Sequence, residues 1–199
     1  MQLELVFASN NAHKLEEVRR ILAPAKVLCL SDIGFEGDIE ETGTTLAENS
    51  YIKAHTVALW LRDKGISDKW VFADDTGLEI EALDNAPGVY TARWAGEPAC
   101  DANNRKKALA ELADKTNRNA RFRTVITLIR GDQVTQVEGE VRGTMATEER
   151  GTSGFGYDAL FIPEGDSHTF GELPADIKNT ISHRARALEQ LKSVIISQQ

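Results

Sequence analysis

The chain predicts an α/β fold, a single domain with a long mixed β-sheet flanked by helices and folded into two lobes. Three observations predict it. Short apolar runs alternate with helical patterns, one hairpin signal sits late in the chain, and no internal repeat or long linker interrupts the 199 residues. With 41% hydrophobic content the chain can bury a sizeable core, so residues 1–199 read as one domain.

Leu3 to Ala8 is the first apolar run, and Ser9-Asn10-Asn11-Ala12-His13-Lys14 continues it as a polar loop. Leu15, Val18, Ile21 and Leu22 then recur at helical spacing, and Pro24 closes that helix. Thr45 with Glu48 makes a capping-box signature for a long helix through Leu46, Ile52, Val57, Leu59 and Leu61, stopping at Gly65. Two strands are predicted next, Trp70 to Ala73 and Leu78 to Leu83, with Asp74-Asp75-Thr76-Gly77 just past the first. Asp101 reads as the cap of a helix through Leu112. Phe122 to Ile129 is almost continuously apolar or β-branched and predicts a central strand, which Gly131-Asp132 turns into Val134 to Val141. Leu160 to Ile162 is a short strand, and Leu188, Leu191, Val194 and Ile195 mark one face of a C-terminal helix.

Charge and cysteine usage narrow the function classes. A net charge of -8 and a pI near 5.1 argue against a nucleic-acid partner, while leaving room for a local cationic pocket. Cys29 and Cys100 have no metal-ligand spacing and read as small core residues in a reduced compartment. Trp60, Trp70 and Trp94 read as packing residues. The opening apolar run contains Glu4 and is too short for a signal peptide or a membrane span, so the expectation is a soluble, cytoplasmic protein without a membrane partner.

Four clusters carry the chemistry. The Ser9-to-Lys14 loop lies between a strand and a helix, where unpaired N–H groups and the positive helix end favour an anion and Lys14 adds a full charge. Asp74-Asp75 and Glu40-Glu41 are acidic pairs of the hard-oxygen type. In Ser153-Gly154-Phe155-Gly156-Tyr157-Asp158, Gly154 and Gly156 permit close approach of peptide N–H groups to a ligand. Lys178 and Ser182-His183-Arg184 then supply cations and donors. Lys53, on the predicted long helix, is a further candidate cation.

These motifs, with Ala86-Pro87-Gly88-Val89-Tyr90-Thr91-Ala92-Arg93, occur in the order seen in the inosine triphosphate pyrophosphatase family, which the chain resembles over nearly its whole length. The resemblance implies hydrolysis of ITP, dITP and XTP to the monophosphate and pyrophosphate, with Mg2+ as cofactor, at a nucleotide cleft of a homodimer. It implies Asp75 as the base and as a metal ligand, and Glu41 is the second expected ligand, with Asp74 or Glu40 in support. Magnesium takes hard oxygens and keeps waters, so few carboxylates suffice. For the purine nucleoside triphosphate the expected contacts are Ser9, Asn10, Asn11, Ala12, His13, Lys14, Lys53, Thr76, Phe155, Gly156, Tyr157, Asp158, Lys178, His183 and Arg184. Phe155 or Tyr157 would stack on the base, and His183, Arg184 and backbone N–H groups would donate to its 6-keto oxygen. Adjacent residues on a strand point to opposite sides, so Asp74 and Asp75 should not share a role unless the chain turns there. Thr76 stands where the family often has serine, and Ala159 where proline often occurs. Two further readings stand beside this one: a pyrophosphatase for another modified or ordinary NTP, and a non-catalytic nucleotide sensor.

Overall fold

A computed structural model describes residues 3–198. The strands are β1 (Glu4–Phe7), β2 (Lys26–Leu28), β3 (Trp70–Ile80), β4 (Pro87–Gly88), β5 (Asn119–Arg130), β6 (Gln133–Met145) and β7 (Phe161–Pro163). The helices are α1 (Ala12–Ile21), α2 (Leu46–Asp63), α3 (Asp101–Glu111), α4 (Ala175–Ile181) and α5 (His183–Ser197). Strand order is β2-β1-β3-β5-β6-β7, with β4 on β3. The β1–β2 and β1–β3 pairs are parallel, whereas β3–β4 and β6–β7 are antiparallel, so the α/β fold with a mixed sheet is borne out. Among the described residues no helix is long and apolar enough to cross a membrane.

The chain packs into two compact units. The first comprises residues 1–75, 124–139 and 184–199, and the second residues 76–123 and 140–183.

In the first unit β1 and the Trp70-to-Ala73 part of β3, which pair in parallel, are apolar on both faces, as a buried parallel sheet requires. Leu5, Phe7 and Phe72 pack with Val18 of α1, with its C-cap Leu22 and with Ala187, Leu188, Leu191 and Ile195 of α5. Val6, Ala8, Val71 and Ala73 pack instead with Ala54, Val57 and Leu61 of α2. The period-two alternation of β3 therefore separates its two aspartates: residue 74 continues the α1/α5 face and residue 75 the α2 face. The capping box predicted for α2 is present, with Thr45 Oγ1 accepting the Glu48 N–H at 3.1 Å.

The second unit buries Leu78, Ile80, Phe122, Val141, Met145, Leu160, Phe161 and Phe170 with Ala108 of α3 and its C-cap Leu112. Glu79, which alternates with Leu78 and Ile80 along β3, accepts from Arg121 Nε at 2.6 Å and Arg123 Nη1 at 2.9 Å.

Several expectations are corrected. β3 is one strand running through Asp74-Asp75, not two strands, and Glu81–Leu83 is a 3-10 turn. The hairpin reaches Met145, beyond the predicted Val141. Cys100 is the N-cap of α3 and makes no side-chain cap bond, so Asp101 is the first helical residue; its carboxylate is engaged elsewhere. Cys29 and Cys100 are partly exposed rather than core.

Candidate active site

β1 ends at Phe7 and the chain turns through the polar loop into α1. Asn11 caps the helix by accepting the Lys14 N–H at 3.0 Å, and Ser9 Oγ accepts the Asn11 N–H at 3.2 Å. Asn10, Asn11, Ala12 and His13 are exposed there and Ser9 is half-buried, so the loop presents a helix N-terminus to solvent. Lys14 turns its ammonium inward to Asp74 Oδ1 at 3.0 Å. Burial pushes the Lys14 ammonium below its ordinary pKa, against the pull of Asp74.

The two adjacent aspartates have separate environments, as the alternation requires. On the α1/α5 face, Asp74 Oδ2 accepts Arg184 Nε at 3.0 Å and Nη2 at 2.9 Å, while Arg184 Nη1 reaches Glu17 at 2.5 Å. Asp74 and Arg184 are 2% and 1% exposed. Burial opposes the Asp74 charge, but Lys14, Arg184 and Lys53 outweigh it and hold the carboxyl well below the usual range. With both oxygens engaged by cations, the structure does not support Asp74 as a metal ligand. Arg184 directs Nε, Nη1 and Nη2 to carboxylates, which fixes it as the partner of Asp74 and Glu17 rather than as a donor free for a base.

On the α2 face, Lys53 Nζ donates to Glu41 Oε1 at 2.8 Å and to Asp75 Oδ1 at 3.2 Å. Asp75 Oδ2 is buried and no described residue lies within hydrogen-bonding reach of it. Burial pushes the Asp75 carboxyl up, with Lys53 and Lys14 pulling down and Glu41 adding to the rise. Lys53 goes the other way: burial disfavours its charge, yet Asp75, Glu41 and Asp74 outweigh that and raise its pKa.

Magnesium is the group implied here. Among the described residues no three His, Cys, Asp or Glu side chains converge as a cage. Glu41 and Asp75 nevertheless bracket one cationic point, and an unpaired Asp75 oxygen remains beside it. Two hard-oxygen groups are of the donor type that ion takes, its other positions being ones it fills with waters and phosphate oxygens. Glu40 is exposed, and the Lys53 ammonium bonds Glu41 and Asp75 instead.

In the second unit the glycine turn is braced from within. Asp158 accepts the Phe155 N–H at 2.9 Å and the Lys178 ammonium at 2.6 Å. Gly154 has φ +77, and a Cβ there would meet Asp158 Oδ2 at 2.0 Å, so only glycine fits. The Gly156 N–H donates to Asp101 at 2.8 Å and its carbonyl accepts from Arg105 Nη1 at 2.9 Å, which corrects the expectation that this N–H faces a ligand. Tyr157 is 2% exposed within the core and donates its hydroxyl to Thr91 O at 3.0 Å, so of the two aromatics only the half-buried Phe155 offers an accessible ring. Lys178 lies 4.9 Å over the Phe155 ring. His183 is buried and stacked on Phe122 at 4.7 Å, and Thr76 is half-buried after Asp75.

Sequence reasoning missed Glu17, Asn49, Ser50, Asp101 and Arg105 as supports. Asn49 and Ser50 had a signal. With Lys53 they interrupt the buried stripe of Leu46, Ala54, Val57 and Leu61 on α2, and a polar interruption of a buried stripe needs a partner.

A helix N-terminus with an inward lysine, beside two carboxylates on a shared ammonium, defines an α/β protein equipped for a multiply charged anion and a hard cation. The chain belongs to the Ham1 family, whose model matches residues 5–194. It is 48% identical over 195 residues to the dITP/XTP pyrophosphatase of Porphyromonas gingivalis, covering 97% of each chain, and 45% identical to that of Bacillus subtilis, covering 96% of each. Among solved structures, the Staphylococcus aureus Ham1 protein matches with a TM-score of 0.85 at 35% identity, covering 98% of this chain and 100% of that one. The Coxiella burnetii HAM1 protein matches with a TM-score of 0.82 at 38% identity and the same coverage. The resemblance carried by the motifs is thereby borne out.

Proposed function

We propose that the protein is a magnesium-dependent hydrolase of deaminated purine nucleoside triphosphates. It splits ITP, dITP and XTP between the α and β phosphorus atoms, releasing the monophosphate and pyrophosphate and cleansing the nucleotide pool. One observation carries this reading: Glu41 and Asp75 converge on the buried Lys53 ammonium while an Asp75 oxygen is left for another partner. The name borne by the relatives supports the substrate class.

Each role rests on the chemistry of its group. Glu41 and Asp75 would hold magnesium, which when bound supplies charge neutralisation to the phosphate oxygens. Asp75, whose Oδ2 has no hydrogen-bond partner among the described residues, accepts the proton of the attacking water, the role the resemblance implies for it. Lys53, Lys14 and the N–H groups of the Ser9–His13 loop offset phosphate charge and stabilise the leaving pyrophosphate. Asp74 accepts no proton; its ion pairs with Lys14 and Arg184 hold those cations in place. Phe155 and His183 are our candidates for the purine, with Thr76, Asp158 and Lys178 positioning that part of the ligand. A donor facing the 6-keto oxygen rejects adenine by roughly ten- to a hundredfold.

The test is product identification with ITP, XTP, dITP, GTP and ATP, each with and without magnesium. IMP plus pyrophosphate, only with the metal and with ITP and XTP well ahead of GTP and ATP, is the expected result. IDP plus phosphate would refute the bond assignment, and tight ITP binding without turnover would favour a sensor. We also propose, on the resemblance, a cytoplasmic homodimer, which sedimentation velocity tests: a monomer at micromolar concentration contradicts the dimer.

A further inference from the structure

Asn49 has no role in the proposed reaction, yet it is 0% exposed on the face of α2 that carries Lys53 one turn later. Its Oδ1 accepts the Gly43 N–H at 2.8 Å, and Gly43 lies two residues beyond Glu41. That stretch is pressed against the helix. A Cβ at Gly43 would meet Asn49 Oδ1 and Glu48 Cβ, each at 2.6 Å, and the next two N–H groups, of Thr44 and Thr45, both donate to Glu48 Oε2. Asn49 Oδ1 thus sets where the main chain leaves Glu41. Its Nδ2 is buried as well, and no described residue lies within hydrogen-bonding reach.

A buried amide donor without a partner is costly, and such groups in folded proteins call for a specific explanation. Here the donor belongs to the side chain that anchors the Glu41 loop, on the helical stripe of the lysine shared by both carboxylates. One turn later on the same helix, Lys53 is held by Glu41 and Asp75, and the triphosphate proposed to bind there carries anionic oxygens of the kind an amide donor pairs with.

We infer that Asn49 is a substrate-binding and positioning residue: Oδ1 holds the Glu41 loop through Gly43, and Nδ2 donates to a phosphate oxygen of the bound triphosphate. This rests on the proposed nucleotide reading. It adds a donor from α2 itself, so the helix that contributes Lys53 contributes a second, neutral contact to the same anion.

The experiment measures binding of α,β-imido-ITP with magnesium by calorimetry, and ITP turnover on the same samples, for wild type, Asn49→Ala, Asn49→Asp and Val57→Ala. Val57 is a fully buried α2 residue of the core and controls for loss of stability alone. Asn49→Ala should weaken analogue binding by about ten- to a hundredfold, the range for a lost buried donor to a charged group, while Val57→Ala stays within about twofold. Asn49→Asp keeps the acceptor for Gly43 but turns a carboxylate oxygen on the phosphate, so its binding should be weaker than that of Asn49→Ala. Analogue binding within about twofold of wild type in folded Asn49→Ala would overturn the inference. Tighter binding by Asn49→Asp would also overturn it, by showing that Nδ2 faces a cation. Wild type that neither binds nor cleaves ITP would overturn the nucleotide reading and this inference with it, whereas active wild type with an unaffected Asn49→Ala sinks the inference alone.

Discussion

Asp74 and Asp75 are neighbours in the chain and opposites in environment. On the α1/α5 face of β3, Asp74 has both oxygens on cations and a carboxyl held far below its usual range. On the α2 face, Asp75 shares one lysine with Glu41, keeps an unpaired oxygen, and is pushed up by burial. The strand's alternation places one carboxylate in a saturated ion-pair network and the other in an unsaturated one. The saturated carboxylate belongs to the ion-pair framework, and the unsaturated one is the carboxylate to which the proposed reaction assigns the metal and the proton.

The largest effect that tests this contrast is on turnover. Asp75→Asn should lower kcat by about 100- to 10,000-fold, the span for a lost general base, as read by pyrophosphate release from ITP. Stability should respond more to the other aspartate. Asp74→Asn removes the carboxylate that Lys14 and Arg184 share, leaving Arg184 its bond to Glu17, and should cost about 3–5 kcal/mol in chemical denaturation. That advantage is pH-dependent: the folded pKa is depressed, so it is fully present above the unfolded value of about 3.9 and is lost as pH falls through the folded value. Denaturation of wild type and Asp74→Asn at pH 7 and pH 3 should therefore show a smaller gap at the lower pH.

A smaller effect tests the scaffold under Asp75. Ser50 Oγ donates to Ala73 O at 2.9 Å and accepts the Thr127 N–H at 2.8 Å, joining α2 to β3 and β5. Ser50→Ala should cost about 1–3 kcal/mol for the groups left unpaired, while kcat changes less than about tenfold. The smallest effect belongs to the surface. Arg20→Ala removes the exposed pair with Glu16 at 2.8 Å and should move stability by no more than about 0.5 kcal/mol and leave kcat unchanged.

Much of this arrangement is legible in the sequence where local physics dominates. The α1 loop, the Thr45/Glu48 box, the central apolar strand and the opposition of Asp74 and Asp75 all derive from caps and periodicity. Tertiary partners are less legible. Arg184 reads as a ligand contact until Asp74 and Glu17, 110 and 167 residues away, engage it. Tyr157 reads as a stacking ring until its hydroxyl finds Thr91, and the Gly156 N–H as a ligand donor until Asp101 takes it. The acidic pair interrupts an apolar pattern, so β3 reads as two strands; cations on each face let it run straight through. The three-residue β2 and the seven-residue α4 are too short to show a period.

The most direct test measures ITP turnover and unfolding free energy on the same preparations of wild type, Asp74→Asn and Asp75→Asn. The predicted result is a double dissociation: Asp75→Asn folds stably and is nearly inactive, whereas Asp74→Asn suffers the larger loss of stability. Near-wild-type turnover in Asp75→Asn, or an Asp74→Asn protein as stable as wild type, would contradict the division of roles between the two faces of β3.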